Sequence, residues 1–247
     1  MKKTLIGIMT GATLALGFAT SADAAAFLSI DVGGTTVSCD NSLAFSGSNC
    51  GTGFTSVANS AAVTFSGAVN GVVFAAATVV GTEAPGFALT LGSDAAIVNG
   101  SGASRAITFS FAENNFTQPV GSPVPFNSTQ TMDNGNGAAI TSSFTGWGNA
   151  ANTLAAGTGV ASVSPPCTTL AAPATNSCSS NGPMNTFVRS GNFALNGIQT
   201  FTLAAGQIVQ SQGSITTQAV PEPTSMLLLG TGLVALARTA RRRASKR

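Results

Sequence analysis

The chain has 247 residues, of which only 7% are charged, and it contains neither histidine nor tyrosine. Between residues 25 and 219 the bases are Arg105 and Arg189, set against Asp31, Asp40, Glu83, Asp94, Glu113 and Asp133, a net charge of −4. That balance excludes a nucleic-acid or anionic-lipid binder, and without His or Lys this stretch can form neither a Ser-His triad nor a Ser-Lys dyad.

The first 24 residues read as an export signal. Lys2 and Lys3 make a positive start, residues 5–18 make an apolar stretch, and Ala22-Asp23-Ala24 supplies a small-residue cleavage site. A signal helix over 1–24 is expected, with the mature chain starting at Ala25.

Residues 25–219 are long enough for one domain with its own core. Short alternating runs rich in β-branched and aromatic residues, cut by Gly, Asn, Pro and Ser, predict strands. They fall at 27–32, 35–39, 62–65, 71–80, 87–91, 105–111, 138–144, 186–195, 198–203 and 208–217. Asn70-Gly71, Asn134-Gly135, Asn136-Gly137 and Asn196-Gly197 carry turn chemistry, because Asn and Gly tolerate positive φ. Of these, Asn196-Gly197 has the strongest flanking strands. Residues 114–136 and 162–182, rich in Pro, Ser and Thr, read as loops. The expected fold is all-β, an antiparallel sandwich or jelly roll.

Cys39, Cys50, Cys167 and Cys178 allow three connectivities. The favoured pairs are Cys39–Cys50 and Cys167–Cys178, each enclosing ten residues. In an oxidising compartment disulfides are the default, and the spacing with no histidine partner does not suit a metal. No metal or cofactor is expected.

Other motifs invite sharper readings. Residues 30–36, Ile-Asp-Val-Gly-Gly-Thr-Thr, look like the first phosphate loop of sugar kinases; a Gly-Gly hairpin is the simpler reading. Glu83 and Glu113 are the glutamates a glycosidase pair would have to use, yet their neighbours suggest solvated turns. Residues 133–136, Asp-Asn-Gly-Asn, could offer oxygens to Ca²⁺, but a plain turn suffices. Trp147 could stack on a sugar ring or simply sit at the rim of the core. No regular array of threonines at strand spacing is legible.

The last 28 residues carry the clearest message. Val220-Pro221-Glu222-Pro223 holds the chain extended, because proline lacks a donor and fixes φ. An apolar run over 224–240 follows, about 25 Å as a helix and so slightly short of a bilayer core. Arg241, Arg242 and Arg243 then form a basic anchor. This ordered pattern resembles the PEP-CTERM sorting signal of exported bacterial proteins, a kind of tail also labelled an ice-binding protein C-terminal domain.

The resemblance implies processing near Pro-Glu-Pro by an exosortase, a membrane transpeptidase. It also implies passage through the inner membrane of a Gram-negative cell, a final place at the cell surface or in its matrix, and a setting rich in exopolysaccharide. The chain therefore divides into a signal (1–24), a β passenger (25–219) and a sorting tail (220–247). A structural or adhesive role in the matrix, without enzymatic activity, is expected. A carbohydrate- or Ca²⁺-dependent binding module is the alternative.

Overall fold

A computed structural model describes residues 24–43, 50–56, 61–171, 176–219 and 231. The expected signal helix, the sorting motif and the basic cluster lie outside these residues, as does the apolar run 224–240 apart from residue 231. Among the described residues no helix is long and apolar enough to cross a membrane.

The described chain is all-β. Its strands are β1 (Ala26–Val32), β2 (Thr35–Asp40), β3 (Phe54–Ser56), β4 (Ala62–Val69), β5 (Val72–Ala84), β6 (Phe87–Asn99) and β7 (Arg105–Phe116). Then come β8 (Val124–Asn134), β9 (Thr141–Asn149), β10 (Val160–Thr168), β11 (Asn176–Asn181), β12 (Asn185–Phe187), β13 (Phe193–Leu203) and β14 (Ile208–Thr217). One antiparallel sheet, here sheet A, runs β10-β9-β13-β7-β1-β2 from edge to edge. The other, sheet B, runs β11-β8-β14-β6-β5-β4-β3, with β12 also paired to β8. The inner faces of the two sheets share one core.

Alternation explains which face each strand buries. In β1 the side chains of Ala26, Leu28, Ile30 and Val32 are buried, while Phe27, Ser29 and Asp31 stand on the outer face at intermediate exposure. Gly33-Gly34 (φ 57° and 87°) closes the β1–β2 hairpin, and Asn70-Gly71 (φ 46° and 80°) closes β4–β5. Two consecutive positive-φ residues give the tight turn whose twist matches the strands it joins. The phosphate-loop likeness of residues 30–36 resolves into the first of these hairpins. There Asp31 accepts from Gly34 N at 3.1 Å and Thr36 Oγ1 at 2.6 Å.

Asn196-Gly197 is not a turn. β13 runs straight through it, paired with β7 on one side and β9 on the other. The glycine is there for space: a Cβ at 197 would lie 2.7 Å from Phe111 Cζ and 2.8 Å from Phe144 Cε2. The buried Asn196 holds the 150–159 segment, its Oδ1 accepting from Gly157 N at 2.8 Å and its Nδ2 donating to Thr158 O at 3.1 Å. Gly197→Ala is expected to cost about 1–3 kcal/mol, the usual penalty for overpacking a filled core. Urea denaturation would measure it, and a loss below about 0.5 kcal/mol would mean that the rings move aside freely.

Both stretches read as loops are largely strand. Residues 114–136 contain the end of β7 and all of β8, leaving 117–123 as the connection. Residues 162–182 contain most of β10 and all of β11. Pro165 and Pro166 are accommodated because β10 is an edge strand with a register shift between Ser164 and Cys167. The Asn134-Gly135 and Asn136-Gly137 pairs do not make a hairpin either, since β8 and β9 lie in different sheets.

Phenylalanines fill the centre of the core, with Phe111 stacked on Phe144 at 5.9 Å between centroids. Towards β8, β9 and β10 the core becomes polar. Ser128 Oγ of sheet B lies 3.1 Å from Ser162 Oγ and 2.9 Å from Ser164 Oγ of sheet A. Beside them Ser142 Oγ donates to Gln130 Oε1 at 2.8 Å and Gln199 Nε2 donates to Ser142 Oγ at 3.0 Å. Buried hydroxyls and amides tolerate removal from water where they pair, here within sheet A and across the sheets, while Gln199 Oε1 has no partner.

The outer face of sheet B carries no regular threonine array among the described residues. Register aligns Thr55, Thr64, Thr78, Ser93, Gln212, Thr131 and Ser179 in one rung across seven strands. Thr64 and Thr78 hydroxyls lie 3.1 Å apart within it. The neighbouring rung contains Ala62, Val80 and Leu91, so the hydroxyls form a row rather than a two-dimensional array.

Candidate functional site

Cys39 is bonded to Cys50 and Cys167 to Cys178. Their place in the fold goes beyond a staple within a loop. Cys39 belongs to β2, one edge of sheet A, and Cys50 lies four residues before Phe54, the start of β3 at the adjacent edge of sheet B. Cys167 belongs to β10 and Cys178 to β11, the two edges on the opposite side. Each bridge therefore ties sheet to sheet, one at either open side of the stack.

Glu83 and Glu113 come together, but not in solvated turns. Glu83 of β5 is 9% exposed and Glu113 of β7 is 1% exposed. The Glu83 carboxylate accepts from Thr117 N at 2.8 Å, Thr117 Oγ1 at 3.0 Å and Gln118 N at 3.2 Å. Glu113 Oε2 packs against Gly81, where any side chain would collide with it, and has no hydrogen-bond partner. Burial, and then the charge of Glu83, raise the Glu113 pKa well above the usual carboxylate range. Glycoside hydrolysis needs two carboxyls flanking a cleft with room for the sugar and water. Here the pair is enclosed between the sheets and capped by residues 117–118.

Arg189 secures that cap. Its Nη2 donates to Thr117 O at 2.9 Å and its Nε to Gly121 O at 3.2 Å, while the guanidinium lies 5.0 Å from the Phe193 ring centroid. The side chain is thus occupied in holding the 117–123 connection.

The Asp133–Asn136 segment does not gather its oxygens. Asp133 and Asn134 end β8 and face opposite sides of the sheet, Asp133 exposed and Asn134 buried. Asn134 Nδ2 donates to Ala138 O at 2.9 Å and Leu170 O at 3.0 Å; Asn136 Oδ1 accepts from Ile208 N at 2.7 Å. The amides latch neighbouring backbone. Trp147, in β9, lies half-buried on the outer face of sheet A opposite Asn196 and Ala161.

At the two ends the domain is fastened next to the expected processing points. Ala24 is buried, Ala25 N donates to Asn114 Oδ1 at 3.0 Å, and Ala26 N donates to Asn41 Oδ1 at 2.7 Å. Ala22 lies outside the described residues. At the other end Gln218 N donates to Pro125 O at 3.2 Å and Ala219 N to Gly86 O at 2.7 Å. Strand β14 ends at Thr217, and these two backbone bonds continue the fastening to Ala219.

No curated protein matches the chain. Residues 219–243 match the family model of the PEP-CTERM protein-sorting motif, and the chain is one that carries this exosortase sorting signal.

Proposed function

We propose that the protein is a structural or adhesive component of the cell surface or extracellular matrix of a Gram-negative bacterium, associated with exopolysaccharide and without catalytic activity. The observation that carries this reading is the sorting motif over residues 219–243, which marks an exported, membrane-transiting exosortase substrate. Three features of the passenger support it. Both open sides of the sheet stack are bridged by disulfides, which suits a protein that must last outside the cell. The rung across sheet B is uncharged and polar from edge to edge, a surface compatible with close packing against a hydrated matrix. The one close pair of glutamates among the described residues is sealed from solvent.

On this reading export removes residues 1–24, the exosortase acts near Pro221-Glu222-Pro223, and the passenger 25–219 is the matrix component. Replacing Pro221, Glu222 and Pro223 by alanine is expected to leave a product that keeps Arg241, Arg242 and Arg243 and stays with the membrane fraction. Intact mass of the recovered protein distinguishes this from the wild-type product, which should start near Ala25 and end near 220–223. Deleting the gene is expected to lower cell–cell cohesion and matrix mass. An unchanged matrix in the deletion strain would remove the proposal.

A further inference from the structure

The outer face of sheet A holds a shallow, open cleft with a volume of about 570 Å³. Its floor is Phe27 and Ser29 of β1, Ser110 of β7 and Ile198 of β13, brought side by side by register. Asp40 of β2, paired with Phe27, stands at one side. Leu154, Ala155 and Ala156 form the opposite wall, where the 150–159 segment folds back over the sheet.

That wall is fixed in advance. Besides the two bonds from Asn196, Asn149 Nδ2 donates to the hydroxyls of Thr153 and Thr158, each at 2.9 Å. Asn152 Nδ2 donates to Asn115 Oδ1 at 2.6 Å, tying the segment to the end of β7. A ligand entering the cleft would not have to order it, which removes one of the main costs of binding.

The lining restricts the chemistry of the ligand. A phenyl ring and two aliphatic side chains offer an apolar platform; two serine hydroxyls and one carboxylate offer a few convergent polar groups, the usual make-up of a small-ligand site. Asp40 Oδ1 already accepts from Ser42 N at 2.9 Å and Ser42 Oγ at 2.6 Å. A carboxylate accepts about four hydrogen bonds, so capacity remains for ligand hydroxyls. No base lines the cleft. The two arginines of the passenger are occupied elsewhere, Arg189 as described and Arg105 through Nε to Ser101 Oγ at 3.2 Å. Asp31 lies on the same outer face, so an anionic ligand meets only repulsion. One carboxylate in the lining is too few oxygens for a divalent cation site. A neutral polyol with an apolar ring face fits all of these conditions.

We propose that this cleft binds neutral sugar units of an extended polysaccharide, the next rung of the sheet presenting Thr108, Thr200 and Ser143 to adjoining units. The proposal rests on the matrix reading above and names the surface through which it would act. It is tested with the exported protein recovered from cells. Isothermal titration would use a panel of neutral glucan, galactan and mannan hexasaccharides, with an oligogalacturonate of the same length as the acidic comparison. Saturable binding to at least one neutral oligosaccharide and none to the acidic one is expected. Phe27→Leu and Asp40→Asn should each weaken binding about tenfold, the worth of one good contact. Val73→Ala, exposed on the outer face of sheet B and outside its polar rung, should leave it unchanged.

Ala155→Trp, which fills the cleft from the exposed wall and leaves every sheet residue unchanged, should abolish binding even where a sheet substitution disturbs folding. Flat titrations with every neutral sugar would overturn the proposal. So would tighter binding of the acidic oligosaccharide, or affinity indifferent to Ala155→Trp. A flat titration alongside a deletion strain that loses cohesion would remove the cleft and keep the matrix role. Saturable binding alongside unchanged cohesion would do the reverse.

Discussion

Replacing all four cysteines by alanine is expected to destabilise the domain by about 5–6 kcal/mol, with each pair contributing about 3 kcal/mol. Both bridges span a sequence separation of 11 residues, so the chain-entropy account assigns them nearly equal weight. They sit at opposite sides of the stack with no shared neighbours, so their effects should add. A loss of that size matches the whole stability of many domains, and the four-fold variant should be close to unfolding at room temperature. Urea denaturation of the wild type, the two double variants and the four-fold variant would measure it, with reduction of the wild type as a check. The expected order is wild type, then the two double variants close together, then the four-fold variant far below. If either double variant lost under about 1 kcal/mol, that side of the stack would be held by packing alone. The bridge there would then be dispensable.

The topology explains why these bridges carry such weight. Along one side, β2 of sheet A and β3 of sheet B are edge strands, and β3 is only three residues long. Along the other, β10 is interrupted by a register shift at Pro165-Pro166, while β11 has six residues. Short or broken edge strands resist unwanted pairing with other chains, but they bury little apolar surface of their own. Covalent links replace the packing that such edges cannot provide. The buried hydroxyl cluster of Ser128, Ser162 and Ser164, next to the Cys167–Cys178 side, adds directional bonds where the core holds few aliphatic groups.

What could be read from the sequence follows the range of the interaction behind it. The alternation at 27–32 and 208–217 is local, and both segments are strands close to the expected bounds. The Gly33-Gly34 and Asn70-Gly71 turns are local too, since two positive-φ residues suffice to define them. Asn196-Gly197 has the same composition but answers to Phe111 and Phe144, residues 86 and 53 positions away, which no short window contains. The strand expected at 87–91 extends past Gly92 for a related reason. That glycine continues β6 and leaves room for Phe109 and Phe111 of the facing sheet. Which sheet a strand joins is equally non-local. The chain changes sheet between β6 and β7, between β7 and β8, and again between β8 and β9, and the last two changes fall where the sequence reads as a loop and as turn dipeptides.

The same limit applies to the surfaces. Phe27, Ser110 and Ile198 are outward positions of three well-formed strands, and nothing in the sequence says that they are neighbours. The polar rung of sheet B is not legible in the sequence because it runs across seven strands, one residue from each. By contrast the sorting motif is contiguous and ordered, so it could be read whole from residues 220–247. The glutamates mislead in a different way. Polar neighbours suggested exposure, yet Glu83 and Glu113 occupy inward positions of β5 and β7, and strand alternation outweighs composition.

Two buried acids should make this protein more stable in mild acid than in mild base. Asp94, on the inner face of β6, is 3% exposed; its Oδ1 accepts from Ala96 N at 2.8 Å, and its Oδ2 has no partner. Desolvation pushes its pKa up to about 7 against two opposing backbone hydrogen bonds, and Glu113 is raised in the same direction. A carboxyl whose folded pKa exceeds its unfolded value holds a proton in the native state that the unfolded chain has already released. Stability therefore falls as pH rises across the window between the two values. For Asp94 the contribution is fully present below about pH 4 and lost by about pH 7, on the order of 4 kcal/mol across that range. Glu113 extends the decline, since its folded value also lies well above the ordinary 4.5. Asp94→Asn and Glu113→Gln remove the titration and retain hydrogen-bonding shape. Each variant should match or fall slightly below the wild type at pH 4 and exceed it by on the order of 1–3 kcal/mol at pH 8. The double variant should show a nearly flat profile between pH 4 and pH 8. Chemical denaturation at half-unit pH steps would reveal the slopes. A wild-type profile that stays flat through this range would mean that both acids are ionised in the folded protein. The inward carboxylates would then have to find partners in solution that the sheets themselves do not provide.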